Sequence, residues 1–249
     1  ATGYNVINYD YAKEKGIPVC NVPTYGTACV GQYAIALLLE VCHHIGHHDK
    51  TVHEGKWANH IDWCYWDHPL IELDGKTAGI IGFGRIGQTT GRIAKALGMK
   101  VLAYDPYVKE LPEEFQSYVT LCGENEVISG CDFLSLHLPL NDETRNMISA
   151  PQLASMKAGA YVINAARGGI VNEKDLYEAL VSGHIAGAAM DVSEVEPMAE
   201  ENPLRTLDNV IITPHIGMYS KEAIGAVSLI CAQNVAACAA GAELKFQVV

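Results

Sequence analysis

The sequence predicts an α/β protein built on a doubly wound parallel sheet. Three observations predict it. Short apolar runs recur at 77–81, 101–104, 133–137, 160–164, 186–191 and 210–213, each suited to a strand buried on both faces. Segments with helical spacing alternate with these runs, as parallel connections require. Polar or charged residues recur after the strands: Asp105, His137, Arg167, Asp191, Glu196 and His215. Ligands of such sheets bind at the carboxyl ends of the strands, so one shared crevice is expected.

The opening of the chain has less pattern. Residues 4–15 suit a helix closed by Gly16, and 17–20 suit a strand entered at Pro18. One short strand is not a stable sheet. The segment therefore reads as the tail of a domain whose beginning is absent. After a turn at 23–27, the spacing of Tyr33, Ala34, Leu37, Leu38, Val41 and Ile45 predicts one long, largely buried helix from 28 to 48. It carries His43, His44, His47 and His48, and pairs four apart share a face, as metal ligands can. No nearby Cys or Asp completes a ligand spacing, so no metal is expected and the pattern assigns the cluster no role. Residues 51–73 are irregular and hold all three tryptophans, Trp57, Trp63 and Trp66, with Tyr65. The rings pack either within the subunit or, as an arm, on another one.

The stretch 76–105 organises the rest. An apolar strand at 77–81 runs into Gly82-Phe83-Gly84-Arg85-Ile86-Gly87, a GxGxxG turn. Residues 88–97 have helical spacing and end at Gly98, and 101–104 is a second strand with Asp105 at its carboxyl end. Each part answers a need of a bound dinucleotide. Gly82 permits the tight turn, Gly84 lets backbone approach a pyrophosphate, and Gly87 lets helix pack on strand. The helix start offers free N–H groups and the positive end of its dipole to phosphates. Asp105 can accept hydrogen bonds from the adenosine ribose and would repel a 2′-phosphate, which points to NAD rather than NADP. The glycines alone are a weak signal; strand, glycines, helix, strand and acid in this order make a Rossmann unit.

Beyond it, Pro106 and Pro112 mark a polar loop, and 141–147 is another loop. Helices are expected at 150–156, at 172–182 between Asn172 and Gly183, and at 220–240. The whole chain has 249 residues, 49% hydrophobic and 18% charged, enough for a substantial core in one or two domains. A formal charge of −12 argues against nucleic acid or an anionic membrane as partner. No apolar run reads as long enough to span a bilayer, and no signal peptide is visible. Eight scattered cysteines form no CxxC pair and fit free thiols in a reducing cytoplasm.

Arg167, Glu196 and His215 suggest a reaction. A nicotinamide exchanges hydride with a carbon. Reducing a 2-keto acid then needs a cation for the carboxylate and an acid for the developing alkoxide. Arg167 offers the fork and His215 the proton, with Glu196 favouring the imidazolium. Singly, each has a plain structural alternative: a surface ion pair, a loop acid before proline, a satisfied core histidine.

Together their surroundings are more specific. Asn-Ala-Ala-Arg-Gly-Gly-Ile-Val-Asn-Glu at 164–173, Ala-Met-Asp-Val-Ser-Glu-Val-Glu-Pro at 189–197 and Thr-Pro-His-Ile-Gly at 213–217 resemble the three signatures of the D-isomer-specific 2-hydroxyacid dehydrogenases. Leu-Asp-Gly-Lys-Thr before the glycine turn also matches, and the resemblance covers essentially the whole chain. It implies that Arg167, Glu196 and His215 are catalytic. It implies cofactor contacts at Gly82, Gly84, Arg85, Ile86, Gly87, Asp105, Leu138, Ala165, Asp191 and Gly217, with NAD as cofactor. Thr2 and Gly3 match the loop whose backbone N–H groups receive the substrate carboxylate.

The family also implies a dinucleotide-binding domain at 25–218 and a second, smaller substrate domain, here 1–24 and 219–249 and truncated at its front. Members are typically homodimers through the cofactor domain, including an arm like 51–73. Pro-Thr-Tyr-Gly-Thr at 23–27 and Tyr-Trp-Asp-His-Pro-Leu-Ile-Glu-Leu at 65–73 are most similar to the glycerate dehydrogenase (hydroxypyruvate reductase) branch. Met218-Tyr219 stands where that branch often has Trp. The alternatives are a 3-phosphoglycerate dehydrogenase and a non-enzymatic, NADH-sensing corepressor-like module.

Overall fold

The computed structural model describes residues 2–4 and 7–249. Two compact units divide it, one of residues 1–30 and 217–249, the other of residues 31–216.

The larger unit is the sheet unit. Its helices are most of α2 (Thr27–His43), α3 (Ile45–His53), α4 (Arg85–Ala96), α5 (Glu113–Gln116), α6 (Glu124–Gly130), α7 (Ala150–Ser155) and α8 (Glu173–Val181). Its strands are β1 (Thr77–Ile81), β2 (Lys100–Tyr104), β3 (Val119–Leu121), β4 (Phe133–Leu136), β5 (Ala160–Asn164), β6 (Ile185–Met190) and β7 (Val210–Ile212). A 3-10 turn, Pro203–Thr206, precedes β7. The seven strands form one sheet in the order β3-β2-β1-β4-β5-β6-β7, every pair parallel. The winding reverses between β1 and β4, which is where such sheets open a crevice.

Alternation along the strands feeds two apolar layers. Ala78 and Ile80 of β1, Phe133 of β4 and Ile163 of β5 face a layer with Leu37, Leu38 and Val41 of α2 and Ala94 of α4. Ile81, Leu134, Leu136 and Val162 face the other, with Val127 and Ile128 of α6 and Leu153 of α7. Each buried Val, Leu, Ile or Phe among them contributes about 1.5–3 kcal/mol relative to exposure. Two buried faces explain why these strands read as continuous apolar runs.

The register sets up the site. Tyr104, Ile81, Leu136, Asn164, Met190 and Ile212 form one row across the sheet. The residue after each is therefore at the same edge: Asp105, Gly82, His137, Ala165, Asp191 and Thr213. Backbone bonds carry the ladder into that edge, Gly82 N to Tyr104 O at 2.8 Å, His137 N to Ile81 O at 2.8 Å and Asp191 N to Asn164 O at 2.9 Å.

Three expectations need correction. The helix expected from 28 to 48 breaks at His44, which adopts the left-handed backbone at φ 48°. The Glu40 carboxylate accepts from Gly46 N at 2.9 Å and so caps the new helix, which bends 59° from the first. The strand expected at 17–20 is no strand: Cys20 makes a single antiparallel bridge with Gln247. Its neighbours pair with the chain's end, Val19 N to Val249 O at 3.2 Å and Val248 N to Val19 O at 2.8 Å. The third concerns the smaller unit's long helix, α9 (Lys221–Ala239), which is apolar enough by length and composition to cross a bilayer. Small and amide residues such as Ala226, Ser228, Gln233 and Asn234 hide this in the letter sequence, because they dilute the run without charging it.

The smaller unit also holds α1 (Tyr9–Glu14), shorter than the helix expected at 4–15, of which Asn5 and Val6 lie outside the described residues. Asn8 caps it by accepting from Tyr11 N at 3.0 Å.

Candidate active site

The glycine turn follows β1 directly. Gly82 has φ 90°, a conformation that side chains resist, and a Cβ there would press on the His137 carbonyl. A Cβ on Gly87 would collide with the Gly82 carbonyl, so helix and turn meet only through glycine. Space opens at Gly84, where a Cβ would touch nothing within 4 Å. Gly84 is also the N-cap of α4 and has no side chain to occupy the first-turn N–H groups of Arg85, Ile86 and Gly87. The Asp105 carboxylate accepts from Phe83 N and from Tyr107 N, each at 2.9 Å. Both oxygens are thus fixed beside the turn, with lone pairs left for a ribose. An open backbone cradle, a free helix start and an oriented acid fit a dinucleotide.

The other half of the row carries the acid–base groups. Asp191 is 1% exposed. Its Oδ1 accepts from Thr213 Oγ1 at 2.7 Å and from Ile216 N at 2.9 Å. These bonds shape the turn on which His215 sits, itself left-handed at φ 54°. His215 Nδ1 lies 2.8 Å from Glu196 Oε2. The other oxygen of Glu196 accepts from Ser193 N at 3.1 Å. An ionised carboxylate only accepts, so His215 carries a proton on Nδ1, which leaves Nε2 for chemistry.

Arg167 follows β5 in a turn clamped by buried Asn164, whose Nδ2 donates to Arg167 O at 3.0 Å and whose Oδ1 accepts from Ala166 N at 3.1 Å. Its guanidinium donates to Ala166 O at 2.7 Å. Ala165 is itself in the row, and Leu138 follows its His137. Among the candidates, then, the structure joins Glu196 to His215 directly and aligns Gly82, Asp105, Ala165 and Asp191 on one edge. Gly217, Thr2 and Gly3 belong to the smaller unit, where Cys29 Sγ donates to Gly217 O at 3.0 Å and Thr2 Oγ1 to Val22 O at 3.0 Å.

Sequence reading missed Asn164, Thr213 and Ser193, which hold these groups in place. Each stands inside one of the three quoted strings, where its only signal was being polar close to a catalytic candidate. The histidines gather near the arm instead. His47 Nε2 lies 2.8 Å from Asp67 Oδ2, Lys56 binds the other oxygen, and the rings of His44 and His68 are 4.5 Å apart. The Lys56 and His47 bonds hold the Asp67 carboxyl down to about 2. Among the described residues no group of three or more His, Cys, Asp or Glu is arranged to hold a metal. Trp57, Trp63 and Trp66 are all exposed, so the arm does not bury them in its own subunit.

Fold and site together define a dinucleotide-dependent oxidoreductase of the Rossmann type. Comparison with known proteins gives the family. The model of the D-isomer specific 2-hydroxyacid dehydrogenase, NAD binding domain, matches residues 35–217, more than half of the chain. The chain belongs to this family of NAD-dependent enzymes, and its cofactor is NAD. It is 56% identical over 223 residues to a hydroxypyruvate reductase of Blautia hydrogenotrophica, covering 89% of this chain and 68% of the relative. It is 41% identical over 243 residues to a D-3-phosphoglycerate dehydrogenase of Archaeoglobus fulgidus, covering 98% of this chain and 45% of that one. The fold matches that of D-lactate dehydrogenase from Aquifex aeolicus, complexed with NAD and lactic acid, with a TM-score of 0.83 and 32% identity over 97% of this chain and 75% of that one. The chain thus spans about two thirds of one relative and less than half of another.

Proposed function

We propose that the protein reduces a small 2-keto acid to its D-2-hydroxy acid with NADH, hydroxypyruvate or glyoxylate being the substrate type, and runs the reverse reaction with NAD. The observation that carries this is the Glu196–His215 pair at 2.8 Å, held by the turn that Asp191 organises at the edge of the sheet. Bound nicotinamide supplies or accepts the hydride. The protein's own residues handle charge and proton. As charge develops on the carbonyl oxygen, the His215 imidazolium donates its Nε2 proton, and Glu196 holds the ring and compensates its charge. Arg167, once its guanidinium leaves Ala166 O, offers a two-pronged donor to the carboxylate. Thr2 and Gly3 are proposed as backbone donors to a substrate carboxylate, and Gly82, Gly84, Arg85, Ile86, Gly87, Asp105, Leu138, Ala165, Asp191 and Gly217 as the cofactor set.

The similarity to a hydroxypyruvate reductase at 56% identity supports the substrate type. We further propose a homodimer through the exposed arm. Trp57, Trp63 and Trp66 are 53%, 86% and 67% exposed, and aromatics of this kind anchor interfaces. The eight free cysteines support a cytoplasmic setting, and the charge of −12 supports a reaction without nucleic acid or membrane. Steady-state NADH oxidation with hydroxypyruvate, glyoxylate, pyruvate and phosphohydroxypyruvate tests the reading. Preference for hydroxypyruvate or glyoxylate is expected. Preference for phosphohydroxypyruvate would replace it with the phosphoglycerate reading, and NADH binding without turnover of any of the four would favour a sensing module.

A further inference from the structure

We propose that Glu173, the first residue of α8, is a positioning residue that fixes the Glu196–His215 pair from behind; the catalytic meaning of this rests on the function proposed above. Among the described residues, the Glu173 carboxylate hydrogen-bonds to neither His215 nor Glu196. It collects the loop that carries Glu196. Its Oε1 accepts from Ser193 Oγ at 2.8 Å and from Glu194 N at 2.7 Å, and its Oε2 accepts from Asn202 Nδ2 at 2.6 Å. The tie is reciprocal, because Glu194 Oε1 accepts from Glu173 N at 2.9 Å. Ser193, gripped by its hydroxyl, then uses its own N–H to hold Glu196 Oε1 at 3.1 Å, leaving Oε2 for His215.

Two features make the residue type specific. All three groups that converge on Glu173 are donors, and an ionised carboxylate is the side chain that accepts on every side. The gripped loop also reaches the other catalytic candidate: a Cβ on Gly168 would collide with the Ser193 carbonyl, so the turn bearing Arg167 lies directly against Ser193. A loop free to shift at Ser193 would move Glu196 relative to His215 and loosen the backbone beside Arg167. Misplacement on the scale of an ångström costs up to about 10²-fold in rate.

The test is a swap of donor and acceptor. In E173Q the amide oxygen still serves Ser193 and Glu194, but its NH₂ group meets the NH₂ group of Asn202, donor against donor. E173Q/N202D restores the pairing. The new carboxylate keeps one oxygen for Leu204 N, which Asn202 Oδ1 now binds at 3.0 Å, and turns the other to the glutamine amide. Long-range ¹H–¹⁵N correlation of the neutral His215 ring reports which nitrogen carries the proton. The expected result is loss of the Nδ1–H form in E173Q, as in E196A, and its return in E173Q/N202D. Alongside it, kcat with keto acid should fall by about 10–100-fold and recover, with NADH affinity steady. If E173Q fails to fold, S193A removes one donor only and should move the same ratio by less. An unchanged tautomer ratio in E173Q or S193A, or no recovery in E173Q/N202D, overturns the proposal. A ratio that moves and recovers in a chain that reduces no keto acid keeps the positioning role and removes the proposed function instead.

Discussion

The helices α2 and α9 are alike on paper and differ in the structure. They have 17 and 19 residues, and both are rich in Ala, Val, Leu, Ile and Cys. Yet α2 buries Gly31, Ala34, Ile35, Leu37, Leu38, Val41 and Cys42, whereas α9 buries only Ala223. Ile224, Leu229 and Val235 of α9 are 37%, 61% and 71% exposed. The difference is what each helix is given to pack on. The stripe of α2 meets a layer that Ala78, Ile80 and Phe133 supply from the sheet. Apolar composition says what a helix can bury, and the partner surface decides what it does bury. Stability and chemistry should therefore concentrate in the sheet unit.

The largest effect should come from the site itself. His215→Ala should lower keto-acid turnover by about 10²–10⁴-fold, the usual worth of a general acid, with NADH affinity and unfolding midpoint close to wild type. Arg167→Lys should also cut turnover heavily, since an ammonium cannot form the two-pronged contact. Turnover preserved in either variant would remove that residue from the proposed chemistry.

Next comes the contrast between cores. Leu134→Ala empties a fully buried position in β4 and should cost about 2–5 kcal/mol in urea unfolding. Leu229→Ala, on the exposed face of α9, should stay within about 0.5 kcal/mol. Equal costs would show that α9 is packed in solution and that the contrast fails.

Much of this was legible in the sequence because burial on two faces writes itself as uninterrupted apolar runs. The edge strand β3 escaped, since Val119, Thr120 and Leu121 are too few to show a period. So did the break at His44, where a local side-chain cap from Glu40, six residues before Gly46, interrupts helical spacing that continues on both sides. In the site, Glu196 and His215 were legible because their neighbours form recognisable strings. The grip of Glu173 on Ser193, Glu194 and Asn202 was not. It joins common residue types 20, 21 and 29 positions apart, and no local pattern encodes such contacts.

A smaller effect is expected at the cofactor end of the row. Asp105 holds Phe83 N and Tyr107 N while facing the proposed ribose position. Asp105→Ala should weaken NADH binding by about tenfold, near 1.4 kcal/mol, and narrow the gap to NADPH, as fluorescence titration with both cofactors would read. Equal affinity of the unmutated chain for the two would show that this carboxylate does not select the ribose.

The subtlest test uses pH, because all ten histidines lie between residues 43 and 215 and the smaller unit has none. His137 stands in the edge row between Gly82 and Ala165. Its Nε2 lies 2.9 Å from Ser135 Oγ, and its buried Nδ1 has no hydrogen-bond partner among the described residues. Burial pushes the ring down from the ordinary 6.5 to about 4. A charge there would lose its water without gaining a counter-ion, so the folded state keeps the ring neutral. In the unfolded chain the same ring takes up a proton as pH falls past 6.5, while the folded chain resists until about 4. The unfolded state thus binds more protons across this window, so folding stability drops as pH falls through it and recovers as pH rises. Above 6.5 both states are neutral and the ring contributes no slope. His137→Gln should remove this part of the pH dependence, giving a flatter stability curve between about 6.5 and about 4 and the same slope as wild type above it. Urea midpoints measured across the range would decide it. Parallel curves for the two proteins below 6.5 would mean that the His137 ring takes a proton in the folded chain as readily as in the unfolded one.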